Sequence, residues 1–356
     1  MINKKNVNTE WLEKVSKKYK INDKILVEKV IRALLLLEGL VQQEIFFVFK
    51  GGTALMLHFD SIKRLSIDID IILPKEISNF DDKLNNIVQN QGFLRKDLQS
   101  RNVKMKIKKE HYKFFYTPIH KTNNNEEYVL LDVLFEEIHY SNILSIPIQS
   151  AFVPMNNEPL NVIAPSIEDL LGDKLTAFAP NTTGIPYFKG NDSMSMEIIK
   201  QLFDIGNLFD SVADIEVIKS TFARFAKTEL AYRNEEFKTE TDVLNDIYQT
   251  ALCIVTRGAD GEGNFEELQK GVQRIKGMII SENYQIEKAI THSSKAAYMA
   301  ILIKNRALHI EKYNNKPLQM KDWIIINPFN TKLNKLKKSN PESFFYWYKI
   351  FEIDNK

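Results

Sequence analysis

The stretch that most constrains this chain is Ser66-Ile-Asp-Ile-Asp-Ile-Ile-Leu73, where two carboxylates, Asp68 and Asp70, stand two residues apart between isoleucines. Alternation with a period of two is the pattern of a β-strand with one buried face. Both carboxylates therefore project from one side, and Ile67, Ile69 and Ile71 from the other. Two anionic groups on one strand face repel each other unless a cation sits between them. The spacing points to a hard-metal site with oxygen ligands, Mg²⁺ or Mn²⁺, and a bound phosphate beside it.

Upstream, an apolar run from Ile45 to Phe49 ends at Lys50 and a Gly51-Gly52-Thr53 turn. An apolar segment of about two helical turns follows before the acidic strand begins. Glycine lets backbone approach a ligand closely, and the free N–H groups of a helix N-terminus cradle phosphate oxygens. Gly-Gly-Thr or Asp-x-Asp alone occurs often by chance. Together, in the order strand, glycine turn, helix, acidic strand, they match the signature of the DNA polymerase β-like nucleotidyltransferase fold. A third acidic residue, Asp132, is embedded in the nearly continuous apolar run Tyr128-Val-Leu-Leu-Asp-Val-Leu-Phe135, where aspartate is disfavoured and needs a reason.

The rest of the chain sets the frame. Its 356 residues are enough for two domains, and 44% hydrophobic with 26% charged residues is an ordinary globular balance. A net charge of +2 neither demands nor excludes a nucleic-acid partner, so such a partner has to be argued from local patches. The single cysteine, Cys253, excludes an internal disulfide and a multi-cysteine zinc site; it reads as a buried thiol in a helix. The polar N-terminus has no signal-peptide character, and Ala33 to Val41 is too short to span a membrane. A cytoplasmic protein is expected.

Helices are expected over residues 1–44, with the second ending near Gly39, then strands at 45–50 and 66–73 around a helix at 53–59, and a helix at 81–91 stopped by Gly92. Strands follow at 103–108, 111–119 and 128–135, with an Asn-rich turn at 123–125, and the β-rich half is expected to end near Phe152. From Pro165 the pattern is helical, with segments near 166–178, 197–209, 214–231, 236–257, 264–277 and 285–305. A polar loop over 181–195 interrupts it, of a length that is commonly functional or mobile. The expected domains are an N-terminal helical segment (1–44), a core (45–165) and a helical C-terminal domain (166–356). The basic run Lys332 to Lys338, like Lys104, Lys106, Lys108 and Lys109, reads either as a solvated face or as a contact with nucleic-acid phosphates. His58, His111, His120 and His139 show no metal-ligand spacing and read as core or surface histidines.

The wording of the motifs narrows the reading. Phe49-Lys-Gly-Gly-Thr-Ala-Leu55 followed by Arg64-Leu-Ser-Ile-Asp-Ile-Asp70 resembles the AbiEii family, nucleotidyltransferase toxins of abortive-infection toxin–antitoxin systems that include the mycobacterial MenT proteins. Asp169-Leu-Leu-Gly-Asp-Lys-Leu-Thr-Ala-Phe178 is similar to the family's helix with an essential lysine, here Lys174. Lys200-Gln-Leu-Phe-Asp-Ile-Gly-Asn-Leu208 is similar to its next motif, giving Asp204. Where the family often has Arg-Asp before its last Asp-Leu pair, this chain has Lys200 four residues before Asp204.

The resemblance implies an α/β (α+β) nucleotidyltransferase core with a mixed sheet, N-terminal helices and a helical C-terminal domain. It implies Mg²⁺-dependent transfer of a nucleoside monophosphate from an NTP to an acceptor hydroxyl, with RNA, the 3′ end of tRNA, as the acceptor. A cognate antitoxin, a role in phage defence and no membrane association follow from it. The residues it singles out are Asp68 and Asp70 for the metal, with Asp132 as the superfamily's third carboxylate. Gly51, Gly52, Thr53, Arg64, Ser66 and Lys174 are implied for the nucleotide, and Asp204 as general base or as the partner that orients Lys174. Two other classes use similar residues. An antibiotic nucleotidyltransferase of the aminoglycoside kind would need an acidic cleft, which the Lys-rich segments oppose. A non-catalytic nucleotide-binding module would have lost a carboxylate or the lysine, and all are present. Without the resemblance, Lys174 reads as a solvated lysine and Asp132 as a salt-bridged acid.

Overall fold

The acidic alternation forms a strand inside a five-stranded mixed sheet, in a computed structural model that describes residues 1–59, 61–99, 108–120, 125–327 and 329–355. The chain divides into two units, residues 1–166 with 277–282, and residues 167–276 with 283–356.

In chain order the first unit comprises α1 (Thr9–Tyr19), α2 (Lys24–Gln42), β1 (Val48–Lys50), α3 (Gly51–His58), β2 (Asp68–Leu73), α4 (Phe80–Gln91), β3 (Arg95–Leu98), β4 (Lys109–Tyr116), β5 (Glu127–Phe135), β6 (Ile143–Pro147) and β7 (Asn161–Pro165). The sheet order is β1-β2-β5-β4-β3, with β2 and β5 parallel and the other neighbours antiparallel. Its apolar face carries Ile69, Ile71 and Leu73 from β2, Val129, Leu131 and Val133 from β5, and Tyr112, Phe114 and Tyr116 from β4. Leu36, Leu37 and Leu40 of α2 and Leu84 and Ile87 of α4 share this core. Each such side chain contributes about 1.5–3 kcal/mol by burial, which holds the strand register and so the opposite, polar face.

Several boundaries differ from expectation, each for a local reason. Helix α2 runs on past Gly39 to Gln42. Gly39 is no stop signal but a crossing point, since a Cβ there would lie 2.8 Å from Gln91 Cγ and 2.9 Å from Ile87 Cγ2 of α4. Helix α3 begins at Gly51, so the glycines form its first turn rather than a separate loop. Strand β2 begins at Asp68, which leaves Ser66 and Ile67 on the preceding connection, and Ile67 packs against a second cluster with Val30, Leu34 and Met56. The β-rich part extends to Pro165 because β6 and β7 form an antiparallel hairpin, unexpected because β6 is mostly exposed and lacks an apolar alternation. Gly92 does end α4, in a left-handed conformation. Of the strand expected at 103–108, only Lys108 lies among the described residues, and of the turn at 123–125 only Asn125 does.

The segment 277–282 belongs to this first unit. Leu65 N–H donates to Met278 O at 2.7 Å, Arg64 forms a bridge with Ile279, and the N–H groups of Ile280 and Ser281 both donate to Lys63 O at 3.2 Å.

The second unit holds α5 (Ile167–Ala177), β8 (Phe188–Lys189), β9 (Asp192–Ser193), α6 (Ser195–Ser211), α7 (Ile215–Tyr232), α8 (Glu240–Val255), α9 (Phe265–Arg274), α10 (Ile286–Lys304), α11 (Leu336–Ser339) and α12 (Pro341–Asp354). Helix α10 is buried at every position from Ala289 to Ile303, so it is the central helix rather than an amphipathic one, and α6, α8 and α12 pack around it. Cys253 is buried in α8, as its sequence context indicated. The 181–195 loop is pinned rather than loose. Asp246 accepts from Asn181 N at 2.9 Å, Asn181 Nδ2 at 2.8 Å and Thr182 Oγ1 at 2.8 Å, while Arg233 donates to the carbonyls of Thr183 and Gly184. The basic run forms a short helical face with Leu333 and Leu336 buried, Lys337 bonded to backbone carbonyls, and Lys332, Lys335 and Lys338 exposed. Among the described residues no helix is long and apolar enough to cross a membrane.

Replacing Gly39 by valine drives a stiff β-branched side chain into Ile87. The expected loss is about 1–3 kcal/mol, the usual cost of overpacking, read as a lower urea midpoint at unchanged slope. A variant as stable as wild type would refute the crossing-point role.

Candidate functional site

Strand β2 pairs so that Asp70 lies opposite Lys50 on one side and Asp132 on the other, and Asp132 in turn lies opposite His111. Directly paired residues share a sheet face, so Lys50, Asp70, Asp132 and His111 form one row on the polar face. Asp68 stands on the same face two residues earlier, half-buried as Asp70 is.

The glycine turn reaches this row. Gly51 has φ +81°, and a Cβ on it would lie 2.1 Å from Asp70 Oδ2, so only glycine lets the start of α3 approach that carboxylate. A Cβ on Gly52 would lie 2.5 Å from Arg64 Nη2 and 2.7 Å from Ser66 Oγ. The two glycines thus bring both halves of the sequence signature together, Gly51 against the acid and Gly52 against the guanidinium and the hydroxyl. Arg64 is buried and donates through Nη1 to Leu65 O at 3.0 Å. Thr53 is fully buried and donates its hydroxyl to Asp68 O at 2.6 Å, which fastens α3 to β2. The N-cap residue Lys50 does not cap α3 with its side chain. The first-turn N–H groups have no intrahelical partner by geometry, and an anion at the glycine turn would satisfy them.

Among the described residues no group of three or more His, Cys, Asp and Glu side chains makes a metal cage. The donors present suit Mg²⁺ in the other way it is bound, by one or two carboxylates with substrate phosphates completing the shell. Asp68 and Asp70 are the oxygen donors that fit that arrangement, and the glycine backbone at 51 lies directly against the Asp70 carboxylate. Asp132 is half-exposed, and its Oδ1 is bonded to His111 Nδ1 at 2.6 Å. This pairing answers why aspartate is tolerated in β5. It also gives a partner to a histidine that read as scattered. His111 was hidden because its partner is 21 residues away in sequence and adjacent only through the β4–β5 register.

Lys174 and Asp204 are in the second unit, on α5 and α6. They form a buried ion pair, Nζ to Oδ2 at 3.0 Å, and Lys174 also donates to Gln201 Oε1 at 2.8 Å. Lys200 lies near Glu197 at 3.9 Å. Lys174 is thus no solvated lysine. Near Asp204 stands His292 of α10, fully enclosed, with Tyr284 OH 3.5 Å from its Nδ1. Burial above all, with Lys295 and Lys288 adding to it and Asp204 opposing, holds His292 well below the usual histidine pKa. Gln201 lies inside the motif at 200–208 without being singled out by it, and His292 lies in no motif.

A family model described as "Nucleotidyl transferase AbiEii toxin, Type IV TA system" matches residues 35–287. No curated protein matches the chain. Among solved structures, the chain is similar to JHP933 from Helicobacter pylori, with TM-score 0.44 and 14% identity over 80% of this chain and 94% of that one. It is similar to a putative nucleotidyltransferase from H. pylori, with TM-score 0.43 and 16% identity over 79% and 94% of the two chains. The nucleotidyltransferase toxin MenT4 from Mycobacterium tuberculosis aligns with TM-score 0.50 and 14% identity, over 79% of this chain and 83% of that one, and shares its fold.

Two measurements probe the second unit. Asp204→Ala strands the buried Lys174 charge and is expected to cost about 3–5 kcal/mol, whereas replacing both partners by apolar residues of similar size recovers most of the loss. Denaturant midpoints of the single and double variants check this, and equal losses in both would refute it. The second concerns pH. The unfolded chain binds the His292 proton near the usual value of about 6.5, while the folded chain does not, so the unfolded state holds more protons below that pH. Stability should fall as pH drops through that window, by up to about 1.4 kcal/mol per pH unit for this group. Half-buried His58, also lowered by desolvation, acts in the same direction, and Asp246, raised by burial, acts in the opposite one. His292→Gln should therefore flatten the slope without abolishing it, and an unchanged slope would refute the assignment.

Proposed function

We propose that this chain, which belongs to the AbiEii family of nucleotidyltransferase toxins, transfers a nucleoside monophosphate from an NTP to an RNA hydroxyl with the help of Mg²⁺. The observation that carries the reading is the pair Asp68 and Asp70 on one strand face, with the Gly51 backbone held against the Asp70 carboxylate. When bound there, a divalent cation neutralises triphosphate charge and polarises the attacking oxygen. The acceptor hydroxyl oxygen forms a bond to the α-phosphorus as its proton passes to solvent, the bond to the bridging oxygen breaks, and pyrophosphate leaves with the electron pair.

This chain's own groups supply the rest. Asp68 and Asp70 are the cation's ligands, with Asp132 beside them. The first turn of α3, with Gly51 and Gly52, offers N–H groups to phosphate oxygens. Arg64 and Ser66, gathered against Gly52, add a fixed cation and a hydroxyl to the same wall of the site. Thr53 serves the nucleotide by holding α3 on β2. In the second unit, Lys174 is the nucleotide-binding cation that the family motif implies. Its ion pair supports an orienting role for Asp204 rather than that of general base, since the carboxylate is already committed to the ammonium.

The acceptor we favour is RNA, the 3′ end of tRNA. The exposed lysines at 332, 335 and 338, three residues apart on one face, support phosphate contacts that read no sequence. We take it to act as a growth-inhibiting cytoplasmic toxin, controlled by a cognate antitoxin and serving phage defence, a reading that membership of a toxin–antitoxin family supports. The test is direct. Purified protein with Mg²⁺, labelled NTPs and total RNA should transfer label, and Asp70→Ala should lower the rate about a thousandfold or more, as losing several kcal/mol of charge stabilisation requires. Induction in a host should arrest growth for wild type and not for Asp70→Ala. Transfer to aminoglycosides in place of RNA would move the protein to the antibiotic-modifying class, and transfer to no acceptor would overturn the RNA assignment.

A further inference from the structure

The row across the sheet reads Lys50, Asp70, Asp132, His111, and its outer member has no part in the reaction described above. His111 is mostly buried, with its side chain 14% exposed, whereas that of Asp132 is 37% exposed. The imidazole therefore sits behind the carboxylate rather than in the open. A carboxylate has no hydrogen to give, so the 2.6 Å contact is an Nδ1–H donated to Asp132 Oδ1. The flanking β4 residues whose side chains share that face, Lys109 and Lys113, lie opposite Leu134 and Leu130, so His111 alone of the three faces an acid across β5.

Resting on the nucleotidyl-transfer reading, we propose that His111 is a positioning residue for the third carboxylate of the site. It engages Asp132 Oδ1 and fixes the rotation of the group, leaving one oxygen, Oδ2, for the cation held by Asp68 and Asp70. Carboxylates that ligate a metal are commonly held by such outer hydrogen bonds, and losing one typically costs about 10–100-fold in metal affinity or activity. The geometry also separates this role from catalysis by the histidine itself. The nitrogen that bonds Asp132 is Nδ1, whose position an asparagine amide reproduces, while a glutamine amide reaches the position of Nε2. A positioning role needs only a donor at the first place, and a proton-transfer role needs an imidazole.

The experiment uses the full chain with Mn²⁺ and the α,β-methylene analogue of an accepted NTP, following the free-ion EPR signal so that binding is read without turnover. The Mg²⁺ dependence of transfer is measured alongside. His111→Ala is expected to weaken Mn²⁺ binding about tenfold or more and to raise the half-saturating Mg²⁺ by a similar factor. His111→Asn is expected to restore both to near the wild-type values, and His111→Gln is not. Should His111→Ala fail to fold, the contrast between the Asn and Gln variants decides alone. Unchanged Mn²⁺ affinity in His111→Ala, or in its place equal affinities in the Asn and Gln variants, would overturn the proposal. So would loss of turnover in both the Ala and Asn variants at unchanged affinity, which would make His111 a proton acceptor instead. Asp70→Ala serves as the control for the underlying reading: a wild type whose Mn²⁺ binding does not depend on Asp70 sinks that reading, and this proposal with it.

Discussion

Repulsion between Asp68 and Asp70 is the constraint around which the first unit is built. Two charges on one strand face favour neither a free strand nor a buried one. At about 4–7 Å, in a setting between water and protein interior, such a pair costs a few kcal/mol if nothing compensates. The sheet meets that cost by division of labour. Isoleucines at 69 and 71 anchor β2 in a core shared with α2 and α4, while the opposite face stays polar and half-open. Lys50 stands at one end of the row and His111, bonded to Asp132, at the other, so a basic side chain and a hydrogen-bond donor flank the acids.

Close approach is the second requirement, and two glycines meet it. The start of α3 lies where a side chain would collide with Asp70 Oδ2 on one residue and with Arg64 and Ser66 on the next. Phosphate oxygens and a cation are small, and the donors around them must converge within hydrogen-bond distance. Side chains at 51 and 52 would keep the helix start away from the strand and separate its N–H groups from the carboxylates. The buried hydroxyl of Thr53, bonded to the Asp68 carbonyl, keeps the helix from drifting off the strand.

The second unit uses charge differently. Its pair Lys174 and Asp204 is removed from water, which is expensive unless each partner is held. Gln201 supplies the extra bond to the lysine, and the neutral His292 near the aspartate adds no competing positive charge. Held in this way, the lysine keeps one orientation instead of sampling many. The loop at 181–195, long and polar in sequence, is fixed by the same means: the buried carboxylate of Asp246 gathers the donors at its base.

The sequence alone determined the elements whose signals are local. The period of two at 68–71 put both carboxylates on one face, the glycine pair marked the turn, and Gly92 marked a helix end. Motif wording carried the family. Tertiary structure decided what depends on residues far apart in the chain. His111 became the partner of Asp132 only through strand register, which no single strand encodes, because a slip of one residue would turn it to the other face. Gly39 proved to be a helix crossing because Ile87 and Gln91 arrive there, and α10 proved central because other helices surround it. The connection bearing Arg64 is backed by residues 277–282, more than 200 positions downstream in the chain. Periodicity records which face of an element is buried, but not which element buries it, since that choice rests on packing between segments that meet only when the chain has folded.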